Sequence, residues 1–182
     1  MKSKILKLSI PIFIILIFQS CKQVEPQMVL NDMSSKLVQN IKDTTHIEKI
    51  NRTKEDWKKI LTREQYKVMF EKETEKPFTG KYNNFKEKGI YVCGACGLPL
   101  FRSDQKFESF CGWPSFFSVY DKKNITYEQD SSYGMIRTEV LCSRCGAHLG
   151  HLFDDGPKPT GLRFCINSAA LKFIKEEDFK GK

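Results

Sequence analysis

At 182 residues, 40% hydrophobic and 29% charged, the chain has the length for one packed domain plus accessories, and its composition excludes the disordered and collagen-like classes. Its formal charge of +8 comes from 30 basic against 22 acidic residues, and Lys2, Lys4 and Lys7 of that excess stand at the extreme N-terminus. The other lysines up to residue 88 are interspersed with acids and form no nucleic-acid-reading motif, so they read as a solvated face and no nucleic-acid partner is expected.

Residues 1–20 combine a basic start with an apolar run from Leu8 to Phe18, interrupted by Pro11. That run is too short for a membrane span, which needs about 20 apolar residues, and has the layout of an export signal. Ser20 followed by Cys21 resembles a bacterial lipoprotein signal, which implies a mature chain that begins at lipidated Cys21. Such a chain would sit on the cell envelope, facing the periplasm or the exterior. Residues 21–50 are polar and mixed, with Pro26 and the Ser34, Ser35 pair, and read as a tether; His46, far from any cysteine, reads as solvent-exposed.

The domain is expected over 51–176, with a short tail at 177–182. Thr53 with Asp56, and Thr62 with Gln65, have the spacing of capping boxes. Trp57, Ile60 and Leu61, then Tyr66, Met69 and Phe70, supply apolar stripes for two short helices, with Trp57 as a core anchor. From Thr74 the punctuation changes to Pro77, Gly80, Gly89, Gly94 and Gly97, with short apolar runs between. Ile90 to Val92, Ile136 to Leu141 and Leu171 to Ile174 read as strands, so the domain is expected to be mainly β behind two helices.

Four of the seven cysteines form two CxxC pairs, Cys93 with Cys96 in YVCGACG and Cys142 with Cys145 in VLCSRCG. Four thiolates on two glycine-containing turns are the donor set of a closed tetrahedral zinc site, here clipping two hairpins together. Two disulfides or a thioredoxin-like redox pair are the competing readings; a disulfide within a CxxC turn would staple little, and no βαβ pattern surrounds either pair. Cys111, in ESFCGWPSF, and Cys165, in GLRFCINSAAL after Arg163, remain within the domain. A nucleophilic cysteine within reach of a second one can pass through a sulfenic acid to a disulfide. His148 and His151, in AHLGHLFDDGP, suit a polar pocket better than a second metal site.

CGWPSF, the two CxxC pairs, HLGHLFDDGP and RFCINSAAL, in this order, resemble the methionine-R-sulfoxide reductase (MsrB) family, a likeness that includes LTREQY and TEKPFTGKY. The resemblance implies twisted antiparallel sheets forming an open barrel and one structural zinc on Cys93, Cys96, Cys142 and Cys145. It implies Cys165 as the nucleophile on sulfoxide sulfur and Cys111 as the resolving cysteine, with the disulfide reduced by thioredoxin or an exported thioredoxin-like donor. Trp113 would face the substrate methyl group, His148, His151 and Asn167 would hold and protonate the oxygen, with His151 as proton donor, and Arg163 would favour the thiolate. Phe164 and Phe110 stand where the family commonly has a tyrosine and a small residue. A zinc-stabilised ligand-binding module and a general thiol peroxidase are the alternative functions.

Overall fold

The computed structural model describes residues 47–180; the leader, Cys21 and His46 lie outside them. Two helices open the domain, α1 (Lys54–Ile60) and α2 (Arg63–Glu71). Thr53 caps α1 by accepting from the Asp56 amide, and Thr62 and Gln65 form a complete capping box on α2. Trp57 is buried and stacks on Phe70 at 5.0 Å, as an anchor should. Ile60 departs from the expected stripe: α1 ends there after two turns, and the side chain is 54% exposed. Among the described residues no helix is long and apolar enough to cross a membrane.

Nine strands follow: β1 (Gly89–Cys93), β2 (Pro99–Arg102), β3 (Lys106–Phe107), β4 (Ser115–Phe116), β5 (Ile125–Asp130), β6 (Arg137–Cys142), β7 (His148–Phe153), β8 (Arg163–Ile166) and β9 (Leu171–Lys175). They build two antiparallel sheets, ordered β2-β1-β9 and β3-β4-β8-β7-β6-β5. Both sheets stay open at their edges rather than closing into a barrel. Every residue of β1 is buried, which explains its unbroken apolar run. The core lies where the sheets meet: Phe101 of β2 stacks on Phe116 of β4 at 4.3 Å, and Tyr91 of β1 meets Phe116 edge-on at 5.1 Å.

The ladder of the larger sheet sets the site. Cys165 on β8 lies directly opposite Ser115 of β4 on one side and His151 of β7 on the other. Directly opposed residues share a face about 5 Å apart, so register alone brings these three together. Gly150 is required beside them, because a Cβ there would come within 2.0 Å of the Cys165 carbonyl oxygen.

Candidate active site and metal centre

The two CxxC turns are built alike. Each starts at the end of a strand, the first cysteine accepts from the glycine four residues on (Gly97 to Cys93, 2.9 Å; Gly146 to Cys142, 2.8 Å), and both glycines have φ above +70°. That left-handed conformation is one other residues adopt at a cost. The turns face each other, with sulfurs 3.7 Å apart for Cys93 and Cys145 and 3.5 Å for Cys96 and Cys142, and all four lie within 4.8 Å of one another. Thiolates at about 2.3 Å from a tetrahedral ion must sit about 3.8 Å apart, so the cluster has the dimensions of a metal-binding cage. Because β1 and β6 belong to different sheets, an ion here would tie the sheets together.

The other two cysteines of the described residues meet at β8 of the larger sheet. Their sulfurs are 3.4 Å apart without being bonded, so the loop between β3 and β4 already delivers Cys111 to Cys165. Gly112, at φ +98°, makes that delivery possible, since a Cβ there would press to 2.7 Å on Pro77. Cys111 also receives a hydrogen bond from the Ser109 hydroxyl at 3.0 Å, and Ser109 is in turn 2.7 Å from the Ser115 hydroxyl. The Cys165 thiol, and behind it these hydroxyls, push Cys111 down to about 4. Its hydrogen bond with Cys111, then burial, pushes Cys165 up, against the opposing pull of Arg163. The two thiols therefore titrate as a pair, and Arg163 alone does not set which sulfur is ionised.

A cavity of about 100 Å³ opens over Cys165, walled by Trp113, His151, Asn167, Arg137, Thr74 and Phe153. Trp113 is fixed by its Nε1, which donates to the Glu75 carbonyl at 3.1 Å. His151 Nε2 lies 2.8 Å from the Asp130 carboxylate. Asn167 spends its amide on the backbone, donating to the Leu149 carbonyl and accepting from the Glu75 amide, both at 3.1 Å.

The SelR domain model matches residues 61–175, more than half of the chain. A protein of Methanosarcina mazei named peptide methionine sulfoxide reductase MsrB is 58% identical over 130 residues, 71% of this chain and 93% of that protein. Proteins of the same name from Hahella chejuensis and Leptospira interrogans are 56% and 58% identical over 72% and 70% of this chain and 99% and 97% of their own. The chain belongs to the MsrB family.

Not every expected residue of this MsrB chain reaches the cavity. His148 is buried beneath it, with Nδ1 2.7 Å from Glu139, whose other oxygen takes the Lys72 ammonium at 2.8 Å. Burial holds His148 below the usual histidine range despite that carboxylate. Arg163 forks onto Asp155 at 2.7 and 2.8 Å and lies 4.3 Å over the Phe153 ring, reaching Cys165 through its charge.

Asp130, Arg137 and Glu75 also join the site of this MsrB chain, and the sequence pattern assigns none of them a role. Asp130 anchors both His151 and Arg137, and its carboxyl is held well below the usual range, first by the Ser132 hydroxyl and amide and then by His151 and Arg137. The available signal is cross-strand: Asp130 pairs with Arg137 in the β5–β6 ladder, opposite charges face to face. Glu75 lies within TEKPFTGKY, and its buried carboxylate accepts from the Ser168 and Ala169 amides at 2.7 and 2.8 Å, pinning the 74–80 segment behind Cys165. Glu75→Ala strands both amides, and chemical denaturation is expected to show a loss of about 2–4 kcal/mol; an unchanged midpoint would remove Glu75 from the site's framework.

Proposed function

We propose that this chain is a peptide-methionine (R)-S-oxide reductase in which Cys165 attacks the sulfoxide and Cys111 resolves the product. The observation that carries the reading is the unbonded sulfur pair, 3.4 Å apart, beneath a small cavity walled by Trp113 and His151, in a chain of the MsrB family.

The substrate methyl group packs on the Trp113 ring, an apolar wall held rigid by Glu75. Its oxygen points to His151, whose ring is oriented by Asp130. With the methyl and oxygen places fixed, only one epimer presents its sulfur to Cys165. The proton between the two sulfurs moves to Cys111, and the Cys165 thiolate bonds to the sulfoxide sulfur as the oxygen is protonated from His151. The oxygen then passes as hydroxyl from the methionine sulfur to the Cys165 sulfur while the bond between the two sulfurs breaks, so methionine leaves and Cys165 is a sulfenic acid, oxidised by the two electrons the sulfoxide gained.

Resolution follows over the same 3.4 Å. Cys111, held by Ser109, gives up the proton it received as its sulfur attacks the Cys165 sulfur; an S–S bond forms, the S–O bond breaks, and the departing hydroxide takes that proton and leaves as water. An external dithiol returns two electrons and two protons. The reductant is a thioredoxin-like protein, and the export layout of residues 1–21 supports a site of action outside the cytoplasm for both partners, with the enzyme held at the membrane by lipidated Cys21.

The ion in the four-cysteine cage is zinc, which suits four thiolates and a closed site and contributes folding energy. Cys93, Cys96, Cys142 and Cys145 hold it, apart from the redox pair.

Turnover of separated R and S epimers of methionine sulfoxide with dithiothreitol tests the reading. Reduction of the R epimer alone is expected. No turnover of either epimer by folded, metal-loaded protein would favour a ligand-binding module, and sulfoxide-independent consumption of peroxide a thiol peroxidase.

A further inference from the structure

Beneath the cavity over Cys165 lies a row of polar groups that do not wall it. The Lys72 ammonium, at the end of α2, reaches one oxygen of Glu139 on β6 at 2.8 Å, and the other oxygen is 2.7 Å from Nδ1 of His148 on β7. Glu139 and His148 are each 2% exposed, so carboxylate and ring have both left water. A buried carboxylate is costly unless paired, and these two contacts pair it. Lys72 makes its contact at a cost. It closes α2 in the left-handed conformation, φ +59°, where glycine is more easily placed, and its side chain reaches a strand 67 residues further along the chain.

The row fixes the form of the imidazole. A carboxylate oxygen only accepts, so His148 Nδ1 carries the proton and donates to Glu139. Nε2 is then the bare nitrogen, and it is buried with no hydrogen-bond partner among the described residues. Protonating it would create a buried cationic N–H without an acceptor, which costs more than a bare lone pair. Burial first, then the charges of His151 and Lys72, disfavour a cation at His148 and outweigh the pull of Glu139. Around this row β5 contributes Glu128 and Asp130, which face Lys72; Arg137 of β6 pairs with Asp130, and Cys165 of β8 lies opposite His151.

We propose that Lys72 and Glu139 are positioning residues of the reductase: their ion pair keeps His148 an uncharged Nδ1–H imidazole, so that the proton delivered to the sulfoxide oxygen resides on His151. Without the ammonium, the lone Glu139 carboxylate would draw a proton onto His148. Two imidazolium rings with centroids 5.4 Å apart repel, and His151 would become harder to protonate. This role rests on the reductase reading, in which His151 is the donor.

First-turnover release of methionine from methionine-R-sulfoxide, followed from about pH 5 to 9 without added reductant, reads the donor apart from recycling. In the unaltered protein the rate is expected to fall on the alkaline side as the donor loses its proton. In Lys72→Met that limb is expected at least about half a pH unit lower, a loss of at least about threefold at a fixed pH on it. Lys72 is 58% exposed, so the substitution opens no hole in the core. Lys72→Arg keeps the cation and is expected to restore the limb. So is Lys72→Met combined with Glu139→Gln, where the carboxylate is gone and the Gln carbonyl still accepts from Nδ1. A mere brace between α2 and β6 would behave otherwise, since removing both partners would not return what removing one had lost. Nitrogen NMR of the unaltered protein gives a readout apart from activity, with His148 expected as the neutral Nδ1–H tautomer near pH 7. A cationic His148 there overturns the assignment, as does an unmoved limb in Lys72→Met or a double variant no better than Lys72→Met. Absence of methionine release at every pH from folded, unaltered protein sinks the reductase reading itself, and the positioning role with it.

Discussion

Turnover of methionine-R-sulfoxide is expected to fall at least about 10⁴-fold in Cys165→Ser, because Cys165 is the thiol that lines the cavity and gives the sulfoxide its two electrons, becoming a sulfenic acid. Cys111→Ser is expected to behave differently. It keeps the nucleophile, the cavity and the His151 anchor, so it should release one equivalent of methionine and then stop. The trapped Cys165 sulfenic acid should react with dimedone, and mass spectrometry of the labelled peptide would locate it. Multiple turnovers with a thioredoxin-like donor at an unchanged rate in Cys111→Ser would overturn the resolving role. Among the described residues the remaining thiols are the four of the metal cage, which leaves Cys111 as the thiol in contact with Cys165. The separation of the two variants matters because the two sulfurs titrate as a pair, so acidity does not assign their roles. Position decides instead, since Cys165 lines the cavity, opposite His151 in the ladder, and Cys111 approaches from the loop side.

Much of this arrangement was legible as spacing. The capping residues Thr53 and Thr62 start the helices where expected, and the strands at 89–93, 137–142 and 171–175 overlap the expected apolar runs within two residues. The CxxC turns were readable because each supplies its own glycine for the left-handed position. What escaped was long-range or irregular. His148 and His151 stand three apart, so strand alternation puts them on opposite faces, yet their rings lie 5.4 Å apart. A bulge explains both facts: Val140 pairs with Gly150 but Leu141 with His148, so β7 carries one extra residue and its alternation slips. The same slip leaves His148 under the cavity on Glu139 rather than in it. Glu75 escaped for another reason, since its carboxylate serves amides 93 and 94 residues away, a pairing no local pattern encodes. Ile60 fell out of its apolar stripe because α1 ends at that residue.

Removal of the metal is the second large effect expected, on stability rather than chemistry. Cys93 and Cys142 are buried, and the cage draws together thiols 46 and 52 residues apart in the chain. Closing a loop of that length in the unfolded chain has an entropic value of about 4 kcal/mol, and metal–thiolate bonds of the kind proposed would raise the whole contribution to the order of 10 kcal/mol. That is comparable to the entire stability of a domain this size, about 5–15 kcal/mol. A strong chelator, or Cys142→Ser, is therefore expected to lower the thermal midpoint by at least about 20 °C and to loosen the β1–β6 junction before the larger sheet itself. The readouts are metal content, expected at one equivalent of zinc, and amide exchange, which should rise first at the strand ends 91–93 and 140–142. Two outcomes would sink the cage: less than half an equivalent of metal in stable, active protein, or a midpoint lowered by dithiothreitol and indifferent to chelators. The second would mean that disulfides hold the four cysteines. Reductant should instead act on Cys111 and Cys165 alone, because a zinc-bound thiolate is already reduced and needs no electrons to keep the sheets joined.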